Sequence, residues 1–165
     1  MFESFLDRRF TKTLNLENKS ERKLLPLVRV GLLCYFGQRV VPEAEVSTPW
    51  TKSGKSRVDF KIGSTAVEFA VRNPSKTSHN VSATANRSEV KKLLKWKNGR
   101  SVLVLYDFSR TPYAKNGFAA FRKHPSFGKG NHIKNAFTLL YFHIESLRPI
   151  KTGCHRKEIR RTTKA

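Results

Sequence analysis

Asp59 and Glu68 are two carboxylates in a segment whose pattern brings them face to face. The segment runs Arg57–Val58–Asp59–Phe60–Lys61–Ile62–Gly63–Ser64–Thr65–Ala66–Val67–Glu68–Phe69–Ala70–Val71–Arg72. Val58, Phe60 and Ile62 alternate with Arg57, Asp59 and Lys61. Beyond Gly63–Ser64, Val67, Phe69 and Val71 alternate with Ala66, Glu68, Ala70 and Arg72. Period-two alternation marks half-buried strands, and a leading glycine suits a two-residue hairpin turn. In that register Ile62 faces Thr65, Lys61 faces Ala66 and Asp59 faces Glu68. Like charges directly across a hairpin are destabilising, so the pair calls for compensation. A divalent cation is one source, because magnesium takes hard oxygen ligands, commonly one or two carboxylates with waters and a substrate phosphate. The other is plain surface ion pairing with Arg57, Lys61 and Arg72, which is worth little when exposed.

The elements around this hairpin follow from the same periodicities. Phe2, Phe5, Leu6 and Phe10 form one face of a short N-terminal helix. Glu21 to Phe36 reads as a helix, with Leu24, Leu25, Val28, Leu32, Leu33 and Phe36 apolar and Ser20 as N-cap. Pro26 would remove a donor inside it, so regular helix could instead begin at Pro26. Gly37 suits its C-terminal cap. Arg39–Val46 reads as a strand whose Pro42 implies an edge or a bulge. Ser47–Ser56 is a polar, basic loop. Asn73–Ser88 is rich in Ser, Thr and Asn and reads as a long mobile loop. Ser88–Lys97 reads as a second helix, with Val90, Leu93 and Leu94 inward. Ser101–Tyr106 is an unbroken apolar run, as in a central strand buried on both faces. Phe137–Ile144 is a further strand, and from Lys151 the chain reads as a basic tail. The order is helix, three strands, helix, strand, which indicates an α/β layer arrangement.

The chain has 165 residues, of which 33 are Lys or Arg and 12 Asp or Glu, for a net charge of +21. That length forms one domain with a real core, here residues 1–150 followed by a basic tail over 151–165. Such a positive field attracts polyanions, nucleic acid first among them. The two cysteines, Cys34 and Cys154, have no metal-ligand spacing, which argues against structural zinc. Cys34 lies in an apolar run and is expected to pack as a small hydrophobe. The N-terminus lacks the features of a signal peptide, and the longest apolar run, Leu24–Phe36, is too short to cross a bilayer and holds Pro26 and Arg29. These features suggest a cytoplasmic location, with nucleoid association open.

The element order, with an Asp on one hairpin arm and a Glu on the next, resembles the PD-(D/E)XK nuclease superfamily over roughly residues 20–107. The resemblance implies a restriction-endonuclease-like fold, a mixed central sheet flanked by helices with an αβββαβ core. It implies that Asp59 and Glu68 hold Mg2+, with Mn2+ as a substitute, for phosphodiester hydrolysis in DNA. The family's pattern continues Glu–x–Lys, but the lysine position here is Ala70. Lys61, beside Ala66, is the first candidate for a migrated cation. Arg57, opposite Ala70 in the register above, is the second; it could stabilise charge but not act as a base. Some family members carry an acidic residue on the first helix, for which Glu21 is the candidate.

Outside the hairpin, Lys55, Arg57, Arg72, Lys76, Arg87, Lys91, Lys115, Arg122, Lys123 and Lys129 are candidates for gripping phosphates. Phe118 and Phe121, three apart, suit a helix face packed into a satellite core. His79, His124, His132, His143 and His155 show no ligand spacing, and His143 is expected to be packed or at a strand edge. Two other functions stay open. One is a binding subunit of a transposition or defence complex that kept the fold and lost the chemistry with Ala70; the other is a basic RNA-binding protein of different fold. A homodimer and a larger protein assembly both stay open.

Overall fold

A computed structural model of the chain describes residues 1–6, 21–47, 52–73, 81–96, 99–109, 111–113, 115–123 and 137–159. Helix α1 spans Glu21–Phe36, strand β1 Val40–Ser47, β2 Lys55–Ile62 and β3 Thr65–Arg72. Helix α2 spans Arg87–Lys95, β4 Ser101–Asp107, β5 Phe137–Leu147 and β6 Ile150–Ile159. The six strands form one mixed sheet in sequence order. β1, β2 and β3 pair antiparallel, β3, β4 and β5 parallel, and β5 and β6 antiparallel. Among the described residues the protein is therefore mixed α/β, a six-stranded sheet with two α-helices.

Each face of the sheet has its own core. On one face Leu24 and Val28 of α1 pack with Phe2, Phe5, Phe60, Val67, Phe69, Val104 and Tyr106. On the other, Val90 and Leu93 of α2 pack with Val58, Ala66, Ala70, Leu103, Leu105 and Tyr141. β4 lies between β3 and β5 and is buried along nearly its whole length, as its unbroken apolar sequence requires. Phe118 and Phe121, on a 3-10 segment Lys115–Lys123, enter the core under α2.

The hairpin register is the expected one near the turn, with Ile62 opposite Thr65 and Lys61 opposite Ala66, about a Gly63 at φ +59°. Beyond Phe60–Val67 the regular β2–β3 pairing ends. On the other side of β2, Glu43 adopts φ +50° and the pairing skips Glu43 and Asp59. At this point the β1–β2 ribbon changes faces. Val58 packs under α2, whereas Phe60 packs under α1. Val58, Phe60 and Ile62 therefore do not share one apolar face as simple alternation suggests. The expected charged face of β3 is also buried: Ala66, Glu68, Ala70 and Arg72 lie under cover. β1 is an edge strand, as Pro42 implies.

Other segments differ from their sequence reading. Helix α1 begins at Glu21 and runs through Pro26, at the cost of one backbone hydrogen bond; Ser20 lies outside the described residues. Cys34 is exposed, because α1 buries only Leu24 and Val28 fully. Val81 and Ala83, in the segment read as a mobile loop, are buried in the core under α2. Residues 151–159 are not a solvated tail but most of strand β6, paired along β5. β6 lacks apolar alternation because it is an edge strand, where charged side chains blunt unwanted pairing.

Candidate functional site

The site lies where β2 parts from β3. Two amides of β3 there bond carboxylates instead of a strand. The Phe69 N–H donates to Asp59 Oδ2 at 2.8 Å, and the Val71 N–H donates to Glu21. Glu21 reaches this point because α1 begins a turn before Pro26. Glu68 completes the group from β3 itself and is 1% exposed.

Over this gap stands Lys92. Its Nζ lies 2.7 Å from Glu68 Oε1 and donates to the Arg57 carbonyl at 3.0 Å. The helix that carries it is fixed at three points. Val90 and Leu93 are sunk into the core, the Trp96 indole N–H donates to the Ser64 carbonyl at 2.9 Å, and Ser101 Oγ donates to the Leu93 carbonyl at 2.9 Å. At Gly99 (φ +152°) a Cβ would strike the Ser64 carbonyl. Glu89, one turn before Lys92, adds a fourth carboxylate whose charge is felt by Glu21, Asp59 and Glu68.

Burial raises all three inner acids, and neighbouring carboxylates add to it. Burial, then the charge of Asp59, pushes Glu68 up to about 9, against which Lys92 acts. Burial, with Asp59 and Glu89 after it, pushes Glu21 up to about 7. Asp59 is also raised, chiefly by burial, and is held back by the Phe69 amide and Lys92. Glu68 lies within hydrogen-bonding reach of Asp59, so each of the two carboxyls influences the titration of the other. Glu68 Oε1 has the Lys92 contact but no well-directed hydrogen bond.

The sequence-predicted residues separate here. Asp59 and Glu68 come together as expected, and Glu21 lies near enough for the charge of Asp59 to raise it. Lys61 is half-buried near the hairpin turn and makes no ion pair with either acid among the described residues; the lysine that acts on all three acids is Lys92. Arg57 does not lie opposite Ala70. It pairs across β1 with Glu45, and its exposed side chain bonds Glu43 at 2.9 Å. Arg72 is not a surface contact for phosphate. It is buried, bonding Asp107 at 3.0 Å and the Thr111 carbonyl at 3.0 Å. Tyr141 donates to the same Asp107 at 2.6 Å, so this second network ties the ends of β3 and β4 to the middle of β5.

Lys55 is exposed and ion-paired to Glu45 at 3.0 Å. Arg87 is exposed at the start of α2, and Lys91 is half-buried on the same helix. Lys76, Lys129 and the side chains of Lys115, Arg122 and Lys123 lie outside the described residues. His143 is buried on β5, stacked against Tyr141 and His155, as a packed histidine would be. Sequence reasoning missed Lys92 and Glu89. Their available signal was a spacing of three on α2, which places both on one stripe beside the buried Val90–Leu93 face.

Among the described residues no three His, Cys, Asp or Glu side chains form a ready cage for a metal ion. No protein-family model matches this chain, and no curated protein or solved structure matches it either. No helix among the described residues is long and apolar enough to cross a membrane.

Proposed function

We propose that this protein is a divalent-cation-dependent phosphodiesterase acting on DNA, with an arrangement resembling the PD-(D/E)XK nucleases. The observation that carries the proposal is the gap between β2 and β3, where Glu21, Asp59 and Glu68 gather beneath Lys92. Two facts support it further. The order α1–β1–β2–β3–α2–β4 fits the family's core, with β5 and β6 as additions. A concentration of carboxylates in a chain of net charge +21 is also the reverse of what a passive polyanion binder needs.

The residues fit a divalent cation of the magnesium type. The donors are hard carboxylate oxygens whose affinity for protons is raised by burial and then by neighbouring charge, and buried Glu68 Oε1 meets the Lys92 ammonium at 2.7 Å but has no well-directed hydrogen bond. Asp59 and Glu68 would hold the ion, with Glu21 beside them. Bound there, it would polarise a phosphate oxygen and make water a stronger nucleophile at neutral pH.

The remaining work falls to the chain. The Phe69 and Val71 amides fix the carboxylates of Asp59 and Glu21. Lys92 carries three donors. With one on the Arg57 carbonyl and one near Glu68, a third serves an oxygen of the attacking water or of the phosphate. A preorganised cation of this kind stabilises charge that develops on the phosphate in the transition state. In this reading Ala70 does not leave the site without a lysine; α2, packed on the same face as Ala70, supplies one.

The test is cleavage of labelled linear, branched and single-stranded DNA with magnesium or manganese, with Glu68→Ala in parallel. Metal-dependent cleavage that vanishes in the variant supports the proposal. Tight binding without cleavage on every substrate overturns it in favour of a binding subunit.

A further inference from the structure

A cleft of about 740 Å³ lies between α1 and the β1–β2 ribbon, within the ~300–1,000 Å³ range of ligand pockets. Leu25, Val30 and Leu33 of α1 give it an apolar wall, Arg22 and Arg29 of the same helix give it positive charge, and Asp59 and the Arg57-paired Glu43 line its β1–β2 side. The cleft and the carboxylate cluster thus meet at one residue. Val30 and Leu33 are 59% and 38% exposed, so the wall of the cleft presents apolar surface to solvent.

The chemistry of the lining narrows the occupant. A second copy of the chain would bring like-charged faces together, since α1 contributes Arg22, Lys23 and Arg29 against a single acid, Glu21. A continuous duplex offers its phosphates but keeps its bases stacked inside, so the apolar wall gains nothing from it. An unpaired nucleotide offers both surfaces. Its base face packs on aliphatic side chains, and its phosphates meet two guanidinium groups about 10 Å apart along the helix axis.

We propose that this cleft receives an unpaired nucleotide of the strand whose phosphate lies at the Asp59–Glu68 cluster, so that the preferred substrate is single-stranded, flapped or branched DNA. The inference rests on the phosphodiesterase reading for what the neighbouring site does to that strand, but not for the binding itself.

The experiment measures binding by the Glu68→Gln protein without divalent cation, so that cleavage plays no part. The probes are a blunt duplex, the same duplex with one unpaired 2-aminopurine nucleotide, and the single strand. The unpaired probe is expected to bind about tenfold tighter than the blunt duplex, the worth of one stacked base, and its emission is expected to change as the base leaves water. Val30→Asn and Leu33→Asn should remove that preference while keeping duplex affinity; both side chains are exposed, and an unchanged melting temperature checks the fold. Arg29→Ala should weaken binding of the unpaired probe and lower its salt slope by about one.

Equal affinity for all three probes overturns the proposal, as does a preference that survives both substitutions. A dimer in sedimentation that Leu33→Asn dissociates also overturns it, and makes the cleft an interface between copies. If the preference is present but the wild type cuts nothing, the cleft stands and the phosphodiesterase reading fails. If the wild type cuts and no preference exists, the reverse holds.

Discussion

Lys92 Nζ lies 2.7 Å from Glu68 Oε1 although the two residues belong to different layers of the fold, one on a helix and one on a central strand. The strand position two residues after Glu68 is Ala70, which is buried in the core under α2. A lysine at that position would have to displace part of this packing. Entering from α2 instead, the ammonium reaches the same acid while the strand keeps a small apolar residue. The position of this cation depends on how α2 is pinned to the sheet, through Val90, Leu93 and the Trp96–Ser64 hydrogen bond.

Lys92→Met should therefore lower the rate of metal-dependent cleavage by about 10²–10⁴-fold, the range for loss of a positioned catalytic group. Lys61→Ala and Arg57→Ala should leave it within about threefold, because neither side chain contacts the acids and the Arg57–Glu43 pair is exposed, where such pairs contribute about 0–1 kcal/mol. Initial rates on one labelled substrate at fixed salt decide the matter. A large loss in Lys61→Ala with none in Lys92→Met would return the catalytic cation to the hairpin.

The acid cluster also makes stability depend on pH. Glu68 moves from an ordinary 4.5 to about 9 on folding, through burial first and the charge of Asp59 second. Between those values the folded protein holds a proton that the unfolded chain has released, so stability falls as pH rises across that window. Glu21 adds to the fall between 4.5 and about 7. Without divalent cation the melting temperature of the wild type should drop over this range relative to Glu68→Gln, which has no proton to lose there. Magnesium should raise it more near pH 9 than near pH 5, since metal binding competes with protons for the carboxylates. Parallel slopes for wild type and variant would contradict the upward shift of Glu68.

How much of this is legible in the sequence varies with the kind of interaction. The turn at Gly63, the pairing of Lys61 with Ala66 and the buried strand β4 depend on neighbours in the chain, and alternation reveals them. The change of faces at Asp59 does not, because Val58 and Phe60 look like members of one stripe until the ladder opens between them. Lys92 resembles Lys91 and Lys95 in type and setting; only the docking of α2 selects it. Arg72 looks like a surface base at the end of a hairpin, but Asp107 and Thr111, which hold it, arrive from far along the chain. β6 is held by backbone pairing to β5, to which its side chains give no period.

Tyr141→Phe should destabilise the protein by about 1–3 kcal/mol, the cost of leaving buried polar groups unpaired. The hydroxyl donates to Asp107 at 2.6 Å and accepts from the Tyr113 N–H at 2.7 Å, and Asp107 is fully buried. Arg72→Met should cost more, about 3–5 kcal/mol, because it strands the Asp107 charge. In a domain of this size each kcal/mol lowers the melting temperature by about 2–4 °C. Tyr141→Phe should leave DNA affinity unchanged, since the hydroxyl it removes bonds Asp107 and Tyr113 and none of the clustered acids. A large loss of affinity with unchanged melting temperature would instead assign these residues to DNA contact.

Removing an acid from the cluster should strengthen DNA binding when no divalent cation is present. Glu21, Asp59, Glu68 and Glu89 act on one another there, and Lys92 is the cation that acts on all three inner acids. A phosphate brought to the gap meets this negative charge while the rest of the surface attracts it. Asp59→Ala removes an acid that takes its donor from the Phe69 amide and also raises Glu21 and Glu68. Affinity should rise by about 2–10-fold at low salt, as expected for a like charge removed at short range in partly screened surroundings, and the gain should shrink as salt is added. Magnesium should cancel the difference by raising wild-type affinity more than that of the variant. Anisotropy titrations with and without the ion measure both effects, and an Asp59→Ala protein that binds more weakly than wild type under every condition would place the phosphate away from these carboxylates.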